Sequence, residues 1–294
     1  MILVPNKVAS VISKYKMPQD TTNMDVAFIK EWMAKEPHLP TDLGDDLIAK
    51  FLHSCYHSLE QTKKCIDRFC SSRSQMSEVY TNRDPLSPHM QTAFSITAVA
   101  SYRWGDIEIL IQKFDDPNQE KYVFYDFLRT HTLQGDYWIQ RPFFAEGHYI
   151  ILDMSDYTLK MISKTNIMFL RDYIVYMLEG MPIRVKKIIA INTPYFYDKF
   201  YALIKPALPA EICDIIHFYP DHESLYNIID RKCLPKEYGG EGQSMVEQNK
   251  EWNEEILARR KMLLNENLWK ADLKKKPKGN DNTMSGSFRT LSID

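Results

Sequence analysis

Residues 185–206 read Val185-Lys-Lys-Ile-Ile-Ala-Ile191-Asn192-Thr193-Pro194-Tyr-Phe-Tyr-Asp-Lys-Phe-Tyr-Ala-Leu-Ile204-Lys205-Pro206. The run from Val185 to Ile191 has the apolar, β-branched character of a buried strand. Thr193 is a good N-cap and Pro194 an ideal first helical residue, so the strand is expected to feed directly into a helix. In that helix Phe196, Phe200, Leu203 and Ile204 fall at i, i+4, i+7 and i+8 on one face, with Tyr197 and Tyr201 on another. A helix this apolar is either core or a lid, with one face on a bound apolar ligand and the other able to meet lipid.

Outward from this stretch the same strand character recurs at Ile107–Phe114, at His148–Met154 and at Asp214–Tyr219. Helical stripes separate them. Phe124, Phe127, Leu128 and His131 form one; Leu159, Ile162, Leu170, Tyr173, Ile174, Met177 and Leu178 form a longer one, stopped by Gly180 and Pro182. Strands alternating with helices predict an α/β layer with a mainly parallel sheet. Ser244 caps a last helix predicted to run to about Trp269.

Residues 1–90 read as all-helical. Val26, Ile29, Trp32 and Met33 form one stripe, ending before Pro37; Leu47, Ile48, Phe51, Leu52 and Cys55 form a second. Ser58-Leu-Glu-Gln61 is a capping box opening a third helix with Leu59, Ile66, Phe69 and Cys70 on one face. Asn82-Arg83-Asp84-Pro85 closes the unit as a turn. The expected organisation is a helical domain over 1–90, an α/β domain over 91–272 and a tail over 273–294. In that tail Lys274, Lys275, Lys276, Lys278 and Arg289 face only Asp281 and Asp294. Its composition predicts disorder, read as a solvated segment in preference to a weak tether to anionic membrane.

Composition narrows the function. The 294 residues are 44% hydrophobic and 26% charged with net charge −2, which is ordinary for a globular chain and gives no support to nucleic-acid binding. Seventeen Tyr, 14 Phe and 14 Met imply a well-filled core or the lining of an apolar cavity. No apolar run approaches the ~20 residues of a membrane span. Five cysteines without paired spacing are expected as reduced thiols in a cytoplasmic protein. His53-Ser-Cys55-Tyr-His57, with Cys65 beyond, has the residue types of a metal site. It lacks Cys-x-x-Cys spacing and lies in helical pattern, so no metal is expected. Glycine-rich phosphate loops, a complete nucleophile elbow and His-Glu-x-x-His are all missing, so the chain reads as no enzyme and as needing no cofactor. Asp153, at a strand end, is expected to cap rather than to catalyse.

Several motifs in order resemble one family. Asn192-Thr193-Pro194, Ile204-Lys205-Pro206-Ala-Leu208, Ile216-His217, Ser224-Leu225 and Leu234-Pro235-Lys236-Glu237-Tyr238-Gly239-Gly240 follow the signature of CRAL-TRIO lipid-binding proteins. Gly147-His-Tyr-Ile-Ile-Leu-Asp153-Met154 resembles that family's Gly-hydrophobic-Asp strand, and Lys50-Phe51-Leu52 its N-terminal helical domain. The chain is most similar to the branch of alpha-tocopherol transfer and retinaldehyde-binding proteins, in a divergent, arthropod-like form.

The resemblance implies a helical N-terminal domain on an α/β domain whose sheet floors an apolar cavity under a mobile gate helix. It also implies one bound hydrophobic molecule, a tocopherol, retinoid, carotenoid or other isoprenoid, carried between membranes with transient surface contact and no covalent step. On the gate and its strand the expected lining is Ile183, Val185, Ile188, Phe196, Phe200, Leu203 and Ile204. On the flanking helices and strand it is Leu128, His131, Leu152, Phe169, Tyr173 and Met177. Tyr197, Tyr201 and Leu208 would form the outer, membrane-facing side of the gate, with hinges at Pro194 and Pro206. His131 and His148 are the polar groups expected near a ligand hydroxyl or carbonyl. Lys50, Arg184 and Lys186 keep the positive charge of the family's phosphoinositide cleft, whereas Cys55, Glu211 and Ile215 replace its other cations, which argues against dependence on phosphoinositide. Phospholipid or phosphoinositide exchange, and an interaction adaptor whose cavity is filled by Phe169, Tyr173 and Tyr176, are the competing functions.

Overall fold

The computed structural model describes residues 19–41 and 43–277. The first 18 residues, expected as helical, and residues 278–294 of the basic tail lie outside the described residues. Helices α1 (Gln19–Lys35), α2 (Asp45–Ser54), α3 (Leu59–Gln75), α4 (Ser77–Tyr80) and α5 (Pro88–Ser95) come first. Each of the three stripes becomes a helix with its apolar face buried: Ile29, Phe51, Leu52, Ile66, Phe69 and Cys70 all pack inside. The Ser58 hydroxyl accepts from the Gln61 N–H at 3.4 Å, the forward half of the capping box.

Next come β1 (Thr97–Trp104), β2 (Ile107–Phe114), α6 (Phe124–Trp138), β3 (Gly147–Asp153), α7 (Leu159–Ser163), α8 (Ile167–Glu179) and β4 (Val185–Ile191). Then follow α9 (Tyr197–Ile204), α10 (Ala210–Ile215), β5 (Ile216–Phe218), three 3₁₀ turns, α11 (Met245–Ala258) and α12 (Arg260–Leu263). The five strands lie in the order β1-β2-β3-β4-β5, with β1 antiparallel to β2 and every other pair parallel. Strand β1 was not anticipated. Its signal is the two-residue Gly105-Asp106 turn, which pairs Trp104 with Ile107 and holds Gly105 at φ +59°. The long stripe is two helices, because Asn166 caps α8 by accepting from the Phe169 N–H. The last helix likewise breaks at Arg259. The expected strand at Asp214–Tyr219 shrinks to Ile216–Phe218, its start being the end of α10.

The sequential order of the parallel strands has a geometric consequence. Right-handed crossovers that all step in one direction put every connecting helix on one face of the sheet. The other face, with Ile109, Ile111, Ile151, Ile189 and Ile191 fully buried, is covered by Leu225, Ile229, Leu234, Tyr238 and Met245. The Leu234–Gly240 motif is therefore a back cover. Tyr238 reaches through it to donate to Asp153 at 2.6 Å, and Asp153 also accepts from Ser155 and Asn192. Burial alone would raise the Asp153 pKa; these donors hold it below the usual carboxylate range. Gly239 turns the chain at φ +69°, and a Cβ at Gly240 would fall 2.0 Å from the Leu234 carbonyl oxygen.

A buried ion cluster joins the two halves. Arg73 of α3 bonds both carboxylate oxygens of Asp136 on α6, at 2.7 and 3.0 Å, and Arg83 adds a third bond at 2.6 Å. The start of the basic tail is ordered rather than loose: Asp272 N–H donates to the His38 carbonyl, and Lys276 reaches Asp67 and Ser71. Burial disfavours the Asp136 charge, but the two guanidinium groups outweigh it and depress its pKa. Asp136→Ala would leave two buried cations uncompensated, and the expected loss is about 3–5 kcal/mol by chemical denaturation. Because the folded-state pKa is depressed, the wild-type contribution should be complete above the ordinary carboxylate pKa of ~4 and fade as pH falls below it, a pH dependence the variant lacks.

Candidate functional site

The two faces of the sheet differ. Ile151, Ile189 and Ile191 have no exposed surface on the back face, whereas Ile150, Leu152 and Ile188, alternating with them on the same central strands, remain half-buried. Opposite lie the half-buried Phe169 and Met177 of α8. Tyr173, Leu128, Ile183 and Val185 sit deeper, within the main core. His131 on α6 lies against Phe127 at 4.3 Å, and desolvation pulls its pKa down to about 4. The residue as a whole is half-buried, and no hydrogen bond to its ring is found among the described residues. His148 is different: its Nδ1 accepts from the Arg184 N–H at 3.0 Å, so it belongs to the polar seam described below.

Helix α9 turns out rotated from the expected orientation. Phe196 and Ile204 are buried and Phe200 is half-buried, as expected for an inner face, but Leu203 is 63% exposed. Tyr197 and Tyr201, expected outside, pack on Phe218 of β5, the first stacked at 4.5 Å and the second tilted at 4.9 Å, and Leu208 is buried. The reason is the neighbouring strand, which offers an aromatic platform that helical periodicity cannot reveal. Tyr195 at 90% exposure and Leu203 are the apolar groups left outside.

The hinges move as well. Thr193 does not cap α9. Its N–H and hydroxyl both donate to the Tyr219 carbonyl, at 3.2 and 3.0 Å. Pro206 is itself exposed, but Ile204 and Leu208 on either side of it belong with Ile212 to one packed cluster, against Ile167, Leu170, Ile174 and Leu178 of α8. The segment expected as the gate, residues 194–215 (the flap below), comprises α9, a 3₁₀ turn and α10, with the residues flanking it tied together at Thr193 and Tyr219.

Lys50, Arg184 and Lys186 do come together, at the opposite end of the strands from the flap, but not as an open basic cleft. Lys50 is buried in a small polar crevice with His53, Glu108, Trp138, Arg141 and His148, and donates to the Arg141 carbonyl. Burial lowers its pKa to about 8 and that of His148 to about 4. Arg184 bonds Glu146 and the His53 carbonyl, with the Tyr56 ring 4.0 Å over its guanidinium; the Tyr56 hydroxyl accepts from Lys186 at 2.9 Å. Among the described residues no cluster of His, Cys, Asp or Glu is arranged to hold a metal ion, and Cys55 is core.

The sequence and fold match known proteins. The CRAL/TRIO domain model matches residues 89–240, half of the chain. The chain belongs to the CRAL/TRIO family. A Pinta-like UBA domain model matches residues 18–90, the helical unit. The alpha-tocopherol transfer protein-like protein of Mus musculus is 25% identical over 80% of this chain and 69% of its own length. Clavesin-2 of Rattus norvegicus is 23% identical over 75% and 69%. A crystal structure of Sfh5 shares the fold, with a TM-score of 0.51 at 12% identity over 89% of this chain and 99% of that one. CRAL/TRIO proteins bind and transfer lipids, and the helical unit followed by a mostly parallel five-stranded sheet is their architecture.

Thr193→Val removes the hydroxyl that reinforces the tie between the flap's ends. Faster amide exchange across 194–215 is expected, with exchange in β3 unchanged and a global loss of only about 1 kcal/mol.

Proposed function

We propose that this CRAL/TRIO protein encloses one hydrophobic molecule of the isoprenoid type, a tocopherol, retinoid or carotenoid, between the helix-bearing face of the sheet and the flap, and transfers it between membranes without covalent chemistry. The observation that carries the reading is the contrast between the two sheet faces. Central-strand residues Ile150, Leu152 and Ile188 keep accessible surface where a solid core would leave none. Enclosing an apolar ligand there gains ~25 cal/mol per Å² of buried apolar surface.

Two further features favour a neutral ligand over a phospholipid. The deep arginines are already committed: Arg73 and Arg83 to Asp136, Arg141 to Glu108, and Arg184 to Glu146. A phosphate head group inside would lack a partner and be costly to desolvate. His131, neutral and unpartnered, offers one donor and one acceptor, which suits a hydroxyl or carbonyl. Membrane contact is assigned to Tyr195 and Leu203, the exposed apolar groups of the flap, with the protein peripheral and transient at the surface of membranes facing the cytoplasm.

Organic extraction and native mass spectrometry of purified protein should recover an isoprenoid. A phospholipid would instead favour the exchange reading, and no ligand an adaptor. His131→Leu should weaken retention of all-trans-retinol relative to its hydrocarbon analogue by roughly fivefold, one net hydrogen bond; equal retention of both removes His131 from the reading.

Leu203→Asp should slow transfer of a fluorescent tocopherol to neutral vesicles while leaving its circular dichroism unchanged. Wild-type transfer should survive 1 M salt, where the Debye length is ~3 Å. Salt-sensitive transfer that requires phosphoinositide would overturn this assignment.

A further inference from the structure

Helix α8 has two opposite faces with different neighbours. Ile167, Leu170, Ile174 and Leu178 form the seat on which Ile204, Leu208 and Ile212 of the flap rest. The other face turns toward the helical unit. There Tyr176 stacks on Phe69 at 6.2 Å, and its hydroxyl is held by three partners: Arg73 donates to it at 3.3 Å, Tyr80 donates at 2.8 Å, and it donates to the Met181 sulfur at 3.3 Å. Glu179 at the end of α8 pairs with Arg68, and the Cys65 thiol donates to the Gly180 carbonyl. These polar contacts gather toward the C-terminal end of α8 on one face, whereas the apolar seat for the flap runs along the opposite face from Ile167 to Leu178. The Arg73–Asp136–Arg83 cluster is buried and joined by charge-assisted hydrogen bonds, so the tyrosine hydroxyl ties α8 to a well-held group.

We infer that Tyr176 is a positioning residue for the flap: its hydroxyl, gripped by Arg73 and Tyr80 of the N-terminal helices, sets α8 at the height where the flap closes. The helical unit thereby governs ligand retention through α8. Tyr176→Phe keeps the ring and its stacking and removes only the anchor. The first measurement needs no ligand. Amide exchange in the variant should accelerate in 167–179 and in the flap, 194–215, and stay unchanged in β2 and β3. The second rests on the carrier reading: release of all-trans-retinol to neutral vesicles should be about fivefold faster, the size of one net hydrogen bond.

Ile256→Val serves as the control. It lies in the separate Met90–Leu133–Leu263 cluster and should lower Tm modestly while leaving both readouts at wild-type values. Flap exchange in Tyr176→Phe equal to wild type, or equally accelerated in both variants, overturns the inference. If wild-type protein takes up no retinol, the carrier reading is what fails, and the exchange comparison still decides the role of Tyr176.

Discussion

One carboxylate between two guanidinium groups holds this molecule together. Asp136 receives three charge-assisted bonds from Arg73 and Arg83, and all three side chains are sealed from water. A charge so placed cannot relax onto solvent, so each partner is required wherever the others are present. The partners come from α3, from the turn after α4 and from α6, so the helical unit and the lipid-binding domain share one interior. Tyr80 and Tyr176 extend the cluster to the near face of α8, and Trp269 packs near Arg73 from the C-terminal end of the described chain. The helical unit is therefore structural support for the sheet's helix layer, not a separate appendage.

A second constraint follows from topology. The one-way march of parallel strands commits all crossovers to one face and leaves the back face to be covered by a chain segment without long helices. That explains why the Leu234–Gly240 stretch is so particular: a leucine and a tyrosine to fill, an acid to cap α11 through the Met245 N–H, and two glycines where a Cβ would be strained or would strike backbone. Its tyrosine ends on Asp153, beside Asn192 at the root of the flap. Back cover, central strand and flap root thus meet on one carboxylate.

Much of this was legible in the residues. Strands β2, β3 and β4 announced themselves as β-branched runs, and the helical unit as three amphipathic stripes. What was missed has physical reasons. Strand β1, Thr-Ala-Val-Ala-Ser-Tyr-Arg-Trp, is only half apolar, because its edge is covered by polar side chains; its best signal was the Gly105-Asp106 turn. The rotation of α9 was not legible because the helix is apolar over most of its circumference, and the partner that orients it, Phe218, lies on a strand of three residues. The fate of Lys50 and Arg184 depended on Arg141, Glu146 and Tyr56, residues distant in sequence whose pairing only the fold creates. Charge at a position was readable, but its availability was not.

The rim of the sheet at β1 has a consequence for how copies of this chain behave in a crowd. An outer strand offers a row of amide donors and carbonyl acceptors that any extended segment can match, and this is a common route to aggregation. Here the Val99 and Ser101 amides are already answered by the side-chain oxygens of Asn249 and Gln248, at 3.0 Å each. Helix α11 thus imitates one edge of a sixth strand with two side-chain amides. The opposite rim is β5, too short to template much pairing. If the proposed carrier opens its apolar interior, sticky surface comes into view, and a sheet whose rims recruit no strangers would keep that moment from becoming irreversible.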